Sequence, residues 1–313
     1  MRRTADGAIP QVGPEDVAAA AARLAGRVRR TPVLEYRGIT LKLELLQHAG
    51  SFKTRGAFNR VLTEPAIPPA GLIAASGGNH GAALAYAGRA LGYPTEIYMP
   101  STSPDLKRLT IERFGAVAVV VDGYYHDAQL ACDARRATTG ALMVHPYDHV
   151  ATVAGQGSIG VELDEQLGGF DTVLVAAGGG GLIAGQAAWF GDRVRIVSVE
   201  PETACCLHAA RAAGRPVEVD VAGVAADSLG ARVLGHVPWP LVNAFVDESV
   251  LVCDDAIRAA QRELWQEFRL VAEPGGAATL AAIRSGSYVP ATGERVVAII
   301  CGSNCEPATV SGE

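Results

Sequence analysis

Six short apolar runs alternate along the chain with longer segments that have helical periodicity. The runs cover residues 72–75, 95–99, 116–121, 172–176, 194–199 and 296–301. The helical segments cover residues 81–91, 104–114, 125–138, 181–190, 254–268 and 276–285. Continuous Val, Ile, Leu and Ala runs are typical of strands that are buried on both faces of a parallel sheet. The pattern therefore predicts an α/β protein with open parallel sheets covered by helices.

Length and composition narrow the class of protein. The chain has 313 residues, of which 49% are hydrophobic and 19% are charged, and its formal net charge is −6. This length predicts about two domains, and the hydrophobic content excludes a disordered chain. Lysine and arginine form no basic block, so we do not expect nucleic acid as a partner.

Cysteine spacing and the N-terminus bear on the compartment. The six cysteines have no C-x-x-C spacing that would bind zinc or frame disulfides, which favours a reducing compartment. No apolar stretch follows Arg2 and Arg3, so we expect no export signal and a cytoplasmic protein. Residues 172–191 carry no charge, but four consecutive glycines at 178–181 disfavour a helix there. We therefore expect no membrane contact.

A lysine lies in the glycine-flanked segment GSFKTRGA at 50–57. Lys53 sits beside Phe52 and Ala57 and follows an apolar region at 43–46, which indicates partial burial. A desolvated lysine has a lowered pKa, and its neutral amine can form a Schiff base with a carbonyl group. The alternative at this point is a solvated surface lysine.

Two strand–helix junctions are rich in glycine: ASGGNHG at 75–81 and AGGGGL at 177–182. Backbone N–H groups at the start of a helix bind anions. The first junction suits a carboxylate or phosphate, and the alternative is a turn capped by Ser76 or Asn79. The second lacks the Lys-Ser/Thr pair of a nucleoside triphosphate loop, so it favours a cofactor with a phosphate monoester. Its alternative is close packing of helix on strand.

Two further motifs each allow two interpretations. Residues 155–160, GQGSIG, fit the dinucleotide fingerprint, but a poor strand precedes them and Asp171 precedes a strand instead of ending one. We therefore reject dinucleotide binding. Cys301 ends the last apolar run. A buried cysteine is usually inert, but at the carboxyl end of a strand in an open α/β sheet it faces the crevice where ligands bind.

Taken together, these segments resemble the pyridoxal-phosphate enzymes of fold type II, specifically the serine/threonine dehydratases, or ammonia-lyases. The matching motifs, in order, are RTPV at 30–33, LKLELLQ at 41–47, GSFK at 50–53, HPYD at 145–148, AGQG at 154–157, VEP at 199–201, EPGGA at 273–277 and CG at 301–302. The resemblance implies a tryptophan synthase β-like α/β fold of two open parallel-sheet domains. It places a small domain, 61–147, inside a large one formed by residues 1–60 and 148–313.

The resemblance also implies roles for single residues. Lys53 would carry pyridoxal 5′-phosphate as a Schiff base and then act as the base at the substrate Cα, with Phe52 against the cofactor ring. Asn79 would bind the phenolic oxygen of the ring, and Cys301 would face the pyridine nitrogen. The phosphate would be held by Gly178, Gly179, Gly180, Gly181 and Leu182. The substrate carboxylate would be held by Ser76, Gly77, Asn79 and His80.

A thiol at the pyridine nitrogen has a consequence for the reaction. It is a weak donor, so the ring would withdraw electrons less strongly than a ring paired with aspartate. Loss of a β-hydroxyl group is then favoured, and we expect L-serine or L-threonine to give a 2-oxo acid and ammonia. The alternatives are a lyase for another hydroxy amino acid such as 3-hydroxyaspartate, a β-replacement synthase and a non-catalytic binding module. Synthases usually carry threonine where this chain has His80.

Three departures from the family pattern refine these expectations. Gly77 stands where serine racemases carry a second serine, so racemisation should be minor. Glu200 and the Ala204 carbonyl match a cation site of the family, but Cys206 replaces an acidic ligand of some members, so any ion is expected to be monovalent. The chain ends eight residues after Cys305, so we expect no amino-acid-sensing regulatory domain. Relatives imply a homodimer.

Overall fold

The structure is a computed structural model that describes residues 11–311. Arg2 and Arg3 lie outside this range, so the absence of an export signal stays a prediction. The strands are β1 (Val33–Tyr36), β2 (Ile39–Lys42), β3 (Leu72–Ala75), β4 (Thr95–Pro100), β5 (Val117–Val121), β6 (Leu142–Met143), β7 (Thr172–Ala176), β8 (Arg195–Pro201), β9 (Glu248–Val252) and β10 (Val296–Ile299). The helices are α1 (Pro14–Leu24), α2 (Lys53–Leu62), α3 (Asn79–Leu91), α4 (Asp105–Arg113), α5 (Tyr125–Thr139), α6 (Val150–Leu167), α7 (Gly181–Phe190), α8 (Cys206–Ala213), α9 (Pro238–Phe245), α10 (Asp254–Phe268), α11 (Pro274–Ser285) and α12 (Ala308–Ser311).

The strands form two sheets. The larger has the order β1-β2-β10-β7-β8-β9, and the smaller has the order β5-β4-β3-β6. Strand pairs are parallel throughout, apart from the antiparallel pair of β1 and β2. The predicted α/β architecture with open, largely parallel sheets is thereby confirmed. None of the helices within residues 11–311 combines the length and hydrophobicity that crossing a bilayer requires.

The smaller sheet bears on the domain boundaries. Its four strands all lie between residues 72 and 143, whereas the strands of the larger sheet lie before and after that segment. This arrangement supports a small domain inserted into a large one. The limits at 61 and 147 remain our proposal.

The apolar runs did not predict the β1–β2 hairpin. Its turn residues, Arg37 and Gly38, have φ angles of 50° and 83°. A two-residue turn with positive φ at both positions matches the twist of the flanking strands, and its usual sequence signal is Asn-Gly or Asp-Gly. Arg37 does not carry that signal, so the turn was not recognisable from local sequence.

The glycines of the GQGSIG motif at 155–160 lie inside α6, not in a loop. A Cβ atom added to Gly155 would lie 2.8 Å from the Arg55 carbonyl oxygen on α2. One added to Gly157 would lie 2.8 Å from the Gly185 carbonyl oxygen on α7. These glycines therefore let α6 pack closely against its neighbours, which agrees with the rejection of dinucleotide binding.

A buried network of charged groups anchors α2. The Arg55 guanidinium donates to both oxygens of Glu44, at 2.8 and 2.7 Å, and to Glu162 at 2.7 Å. Lys42 Nζ donates to the same Glu162 at 2.7 Å. The Lys42, Glu44 and Arg55 side chains are fully buried, and two bases balance two acids. Because Arg55 lies two residues after Lys53, the network fixes the first turn of α2.

Candidate active site

Three of the predicted segments begin at the carboxyl ends of strands. β3 ends before the loop at 76–78 that leads into α3, β7 ends before the glycine loop that leads into α7, and β10 ends before Cys301. In an open parallel sheet, ligands collect at the carboxyl ends of the strands. The structure therefore places the predicted segments at the edge where a ligand site is expected.

Lys53 is the first residue of α2, and its amine lies between two aromatic rings. Nζ is 5.1 Å from the ring centre of Phe52 and 5.9 Å from that of Tyr147, and it donates a hydrogen bond to the Pro146 carbonyl oxygen at 2.9 Å. Burial lowers the pKa of Lys53 to about 8, although the nearby Cys301 and Glu273 raise it. The amine is therefore far closer to its neutral, nucleophilic form at neutral pH than an ordinary lysine.

This pKa predicts how the reactivity of Lys53 depends on pH. Only the unprotonated amine attacks an aldehyde, so the rate of labelling should rise as pH increases through about 8 and then level off. Borohydride reduction of an added aldehyde, followed by peptide mass spectrometry, measures labelling at each position. The chain has three lysines, Lys42, Lys53 and Lys107, so each peptide is assigned without ambiguity. A labelling midpoint near 10 at Lys53 would contradict the prediction.

The loop between β3 and α3 leads to Asn79, the first residue of α3. Asn79 Nδ2 donates to Glu273 Oε1 at 2.5 Å, and Asn79 Oδ1 accepts from Asn304 Nδ2 at 2.5 Å. Ser76 and Gly77 precede it and are partly exposed. Gly77 packs closely, because a Cβ atom there would lie 3.1 Å from Ser103 Oγ.

His80 is more buried than its neighbours, and its ring is committed to the fold. Nε2 lies 2.6 Å from the Val144 carbonyl oxygen, so this nitrogen carries the proton and donates. Burial lowers the pKa of His80 to about 3, and the nearby Lys53 lowers it further. The ring is therefore neutral. Any part that His80 plays in binding a carboxylate falls to its main-chain N–H group.

The glycine loop lies against Tyr147. A Cβ atom on Gly179 would approach the Tyr147 ring to 2.4 Å, and one on Gly181 would lie 2.9 Å from Tyr147 Cβ. Gly180 has a φ of 91°, in the left-handed region that favours glycine. The loop opens directly into α7, whose buried second residue is Leu182. The loop thus presents main-chain groups at the start of a helix, and this arrangement suits a phosphate.

Cys301 is buried beyond the end of β10. Its Sγ donates to the Gly275 carbonyl oxygen at 3.5 Å. Burial raises the pKa of the Cys301 thiol, and the nearby Glu273 raises it further. The thiol is therefore protonated and can act only as a weak donor. A role at a pyridine nitrogen is compatible with this state and stays a prediction.

The predicted cation site is a separate feature. The two carboxylate oxygens of Glu200 accept hydrogen bonds from the main-chain N–H groups of Leu207, at 2.8 Å, and His208, at 2.7 Å. Burial raises the pKa of Glu200 to about 8, although these two hydrogen bonds lower it. Within residues 11–311, no group of three or more His, Cys, Asp or Glu side chains is placed to hold a metal ion. A cation at Glu200 and the buried Ala204 stays a prediction.

Three residues that contact Lys53 or Asn79 had no role assigned from the sequence. Glu273 and Asn304 hold Asn79, and Tyr147 lies between Lys53 and the glycine loop. Glu273 and Tyr147 belong to the matching motifs EPGGA and HPYD, whereas Asn304 lies just beyond CG, where the matching motifs end. Only the tertiary contacts show what their side chains touch.

Comparison with known proteins agrees with this geometry. Residues 24–302 match the family described as pyridoxal-phosphate dependent enzyme. The chain is 36% identical over 286 residues to threonine dehydratase 1 biosynthetic, chloroplastic, of Solanum lycopersicum, covering 88% of this chain and 47% of that relative. It is 35% identical over 301 residues to L-threonine ammonia-lyase of Geobacter sulfurreducens, covering 92% of this chain and 75% of that relative.

A solved structure shows the same fold. Maize serine racemase superposes with a TM-score of 0.89 at 30% sequence identity, covering 95% of each chain. The family match covers most of the chain, two relatives exceed 30% identity, and the parallel sheets described above fit the same fold. The chain therefore belongs to the pyridoxal-phosphate dependent enzymes of fold type II.

Proposed function

We propose that this enzyme deaminates L-threonine or L-serine by eliminating the β-hydroxyl group, and that the products are a 2-oxo acid and ammonia. The water lost in the elimination is regained when the unsaturated product hydrolyses. The observation that carries the proposal is the partly buried Lys53 amine, with a pKa of about 8, at the strand edge beside the glycine loop. The names of the tomato and Geobacter relatives support the choice of substrate.

The residues present fit pyridoxal 5′-phosphate. Lys53 offers a nucleophilic amine for its aldehyde, and the glycine loop offers main-chain N–H groups at the start of α7 that no side chain of the loop shields. Asn79 and Cys301 offer donors of different strength for its ring. When bound, the cofactor supplies a conjugated ring that stabilises negative charge at the substrate Cα.

The chain's own residues supply positioning and proton transfer. Lys53 holds the cofactor and then moves the proton at Cα. The main chain at 76–80, at the start of α3, orients the substrate carboxylate through N–H groups that the first helical turn leaves free. Cys301, as a weak neutral donor, leaves the ring less electron-withdrawing, which favours loss of the β-hydroxyl group over slower reactions at Cα.

Racemisation is the second candidate, because maize serine racemase shares the fold. It needs an acid or base on the face of the substrate opposite Lys53. Gly77 has no side chain to serve there, and a Cβ atom at this position would lie only 3.1 Å from Ser103 Oγ. The lack of a hydroxyl at position 77 therefore favours elimination.

A substrate panel tests the proposed function. The protein reconstituted with pyridoxal 5′-phosphate is given L-threonine, L-serine or 3-hydroxyaspartate, and 2-oxo acid, ammonia and D-amino acid are measured. We expect equal amounts of 2-oxo acid and ammonia from L-threonine or L-serine. If D-serine formed without 2-oxo acid, the activity would be racemisation instead. If 3-hydroxyaspartate alone were turned over, it would replace L-threonine and L-serine as the proposed substrate. If the protein gained no visible absorbance when the cofactor is added, the proposed cofactor-dependent activity would be contradicted altogether.

Substitution in the glycine loop should weaken cofactor binding. The methyl group of Gly179→Ala would overlap the Tyr147 ring, since its Cβ atom would lie 2.4 Å away. Overpacking of this kind typically costs about 1–3 kcal/mol of stability. Relief of the overlap would displace the N–H groups of the loop, so we expect cofactor affinity to fall by about tenfold, the loss of about one hydrogen bond to a charged group. Absorbance titration of the cofactor-free protein measures this affinity.

The matched control is Gly78→Ala in the neighbouring loop. Its nearest contact would be the Asp227 carbonyl oxygen at 3.8 Å, which is ordinary van der Waals distance. We expect the cofactor affinity of this variant to stay within about twofold of the wild type. Equal affinities for Gly179→Ala and Gly78→Ala would show that the loop does not hold the phosphate.

We further propose that the enzyme is a cytoplasmic homodimer. The six cysteines are all free, which suits a reducing compartment. The family resemblance supports the dimer, and sedimentation at several protein concentrations tests it. A monovalent cation at Glu200 and Ala204 belongs to the same proposal, and activity measured after exchange of potassium for a bulky organic cation tests it.

A further inference from the structure

Glu273 is a buried carboxyl group whose side chain is directed at Asn79. It is 4% exposed and lies just before α11, 194 residues away from Asn79 in the sequence. A residue at this position commonly uses its side chain to accept a hydrogen bond from its own helix. In the described part of the chain, the Glu273 side chain makes no such bond. Ser228 Oγ accepts from the Gly275 N–H group instead, at 2.9 Å.

The orientation of the Asn79 amide is fixed from its other end. The Ala49 carbonyl oxygen can only accept, so Asn304 presents Nδ2 to it, at 2.8 Å. The same Asn304 Nδ2 donates to Asn79 Oδ1 at 2.5 Å. Asn79 must therefore present its own Nδ2 to Glu273. An amide nitrogen carries two protons, so one binds Glu273 and the other can face a ligand in the crevice.

The end of β10 leaves room for this pair. A Cβ atom on Gly302 would lie 1.9 Å from Glu273 Oε1 and 3.5 Å from Asn79 Nδ2. The Gly302 carbonyl oxygen also accepts a hydrogen bond from the Glu273 main-chain N–H group, at 3.1 Å. Only glycine at 302 allows the carboxyl group to reach Asn79 from this direction.

We propose that Glu273 is a positioning residue, and that its carboxyl group holds the Asn79 amide toward the ring of the bound cofactor. The proposal rests on the proposed function, in which Asn79 meets the phenolic oxygen of that ring. Glu273 acts on the ring through Asn79, and Asn304 holds the Asn79 amide from the other side. The carboxyl group thereby also brings a titratable charge to the edge of the site.

The charge on Glu273 depends on pH in the neutral range. Burial raises its pKa to about 7; the hydrogen bond from Asn79 lowers it, and nearby Asp227 raises it. The other charged or titratable groups that face it are Lys53 on α2, Lys107 on α4, and Cys301 and Cys305 after β10. As pH rises through about 7, Glu273 becomes ionised and accepts more strongly from Asn79. The absorbance of the bound cofactor should therefore change in a step near pH 7.

The experiment follows the visible absorbance of the holoenzyme against pH, with no substrate present. The wild type should show a step near pH 7, and Glu273→Gln should lose this step while keeping cofactor affinity, because glutamine still accepts from Asn79. Asn79→Ala should lose the step as well. Glu273→Ala should bind the cofactor about tenfold more weakly. In the Asn79→Ala background, adding Glu273→Ala should weaken binding no further, because Glu273 acts on the ring only through Asn79.

Ser228→Ala is the matched control for a purely structural role. It removes the hydrogen bond at the start of the same helix, so it should lower the melting temperature and keep both the absorbance step and the cofactor affinity. A step that persists in Glu273→Gln, or that Ser228→Ala also abolishes, would overturn the proposal. So would additive losses of affinity in the double variant. A wild type that forms 2-oxo acid without the step would contradict the role of Glu273 alone, whereas absence of cofactor absorbance would contradict the proposed function too.

Discussion

Lys53→Ala will form 2-oxo acid at least about a thousandfold more slowly than the wild type, because it removes both the amine that holds the cofactor and the base at the substrate Cα. The physical basis is the environment of this amine. Burial between Phe52 and Tyr147 lowers its pKa to about 8, so it can carry out both steps near neutral pH. A coupled assay of 2-oxo acid measures the loss.

The covalent link gives a second, independent measurement. Borohydride reduction of the wild-type holoenzyme should leave a pyridoxyl group on the peptide that contains Lys53. With only three lysines in the chain, a tag on Lys42 or Lys107 would be found at once. Lys107→Ala is the control, and it should keep the tag at Lys53. Product formation by Lys53→Ala at a rate near that of the wild type would refute its assigned role.

Arg55→Ala should lower the free energy of unfolding by about 3–5 kcal/mol, because it leaves a buried carboxylate without its partner. Glu44 is fully buried and receives two hydrogen bonds from Arg55, and Glu162 would keep only Lys42 as a cationic partner. This loss is expected because one partner is removed and the others stay buried. Replacing the whole network with apolar residues would change the free energy of unfolding much less. Thermal unfolding followed by circular dichroism should show a drop of roughly 10 °C.

An exposed ion pair on the same molecule provides the matched control. Arg30 and Glu165 contact each other at 2.5 Å, but their side chains are 54% and 55% exposed. Exposed pairs contribute about 0–1 kcal/mol, so Arg30→Ala should barely change the melting temperature. Similar melting temperatures for Arg55→Ala and Arg30→Ala would show that the buried network does not stabilise α2. An Arg55→Ala protein too unstable to purify would agree with the expected loss.

These two predictions concern neighbouring positions on one helix with different tasks. Lys53 is the residue proposed to react, and Arg55, two residues later, fixes the helical turn that presents it. If the buried network holds that turn, Arg55→Ala should also slow the labelling of Lys53 in whatever fraction of the protein stays folded. The placement of the reactive amine thus depends on contacts made on the opposite side of α2.

The local sequence was sufficient for the main architecture. Apolar runs predicted β3, β4, β5, β7, β8 and β10 to within two residues at each end, because strands buried on both faces must be continuously apolar. The hairpin of β1 and β2 was not predicted, since Arg37 gives no turn signal and its positive φ angle is imposed by the strand pairing.

The sequence by itself predicted the parallel sheets, the glycine loop after β7 and the lysine proposed to react, because each depends on residues that are close together in the chain. Tertiary structure alone decided that the His80 ring binds the Val144 carbonyl oxygen and that Glu273 holds Asn79. Those contacts join residues 64 and 194 positions apart. No local periodicity encodes them; they arise only when the chain packs and buried polar groups must find partners.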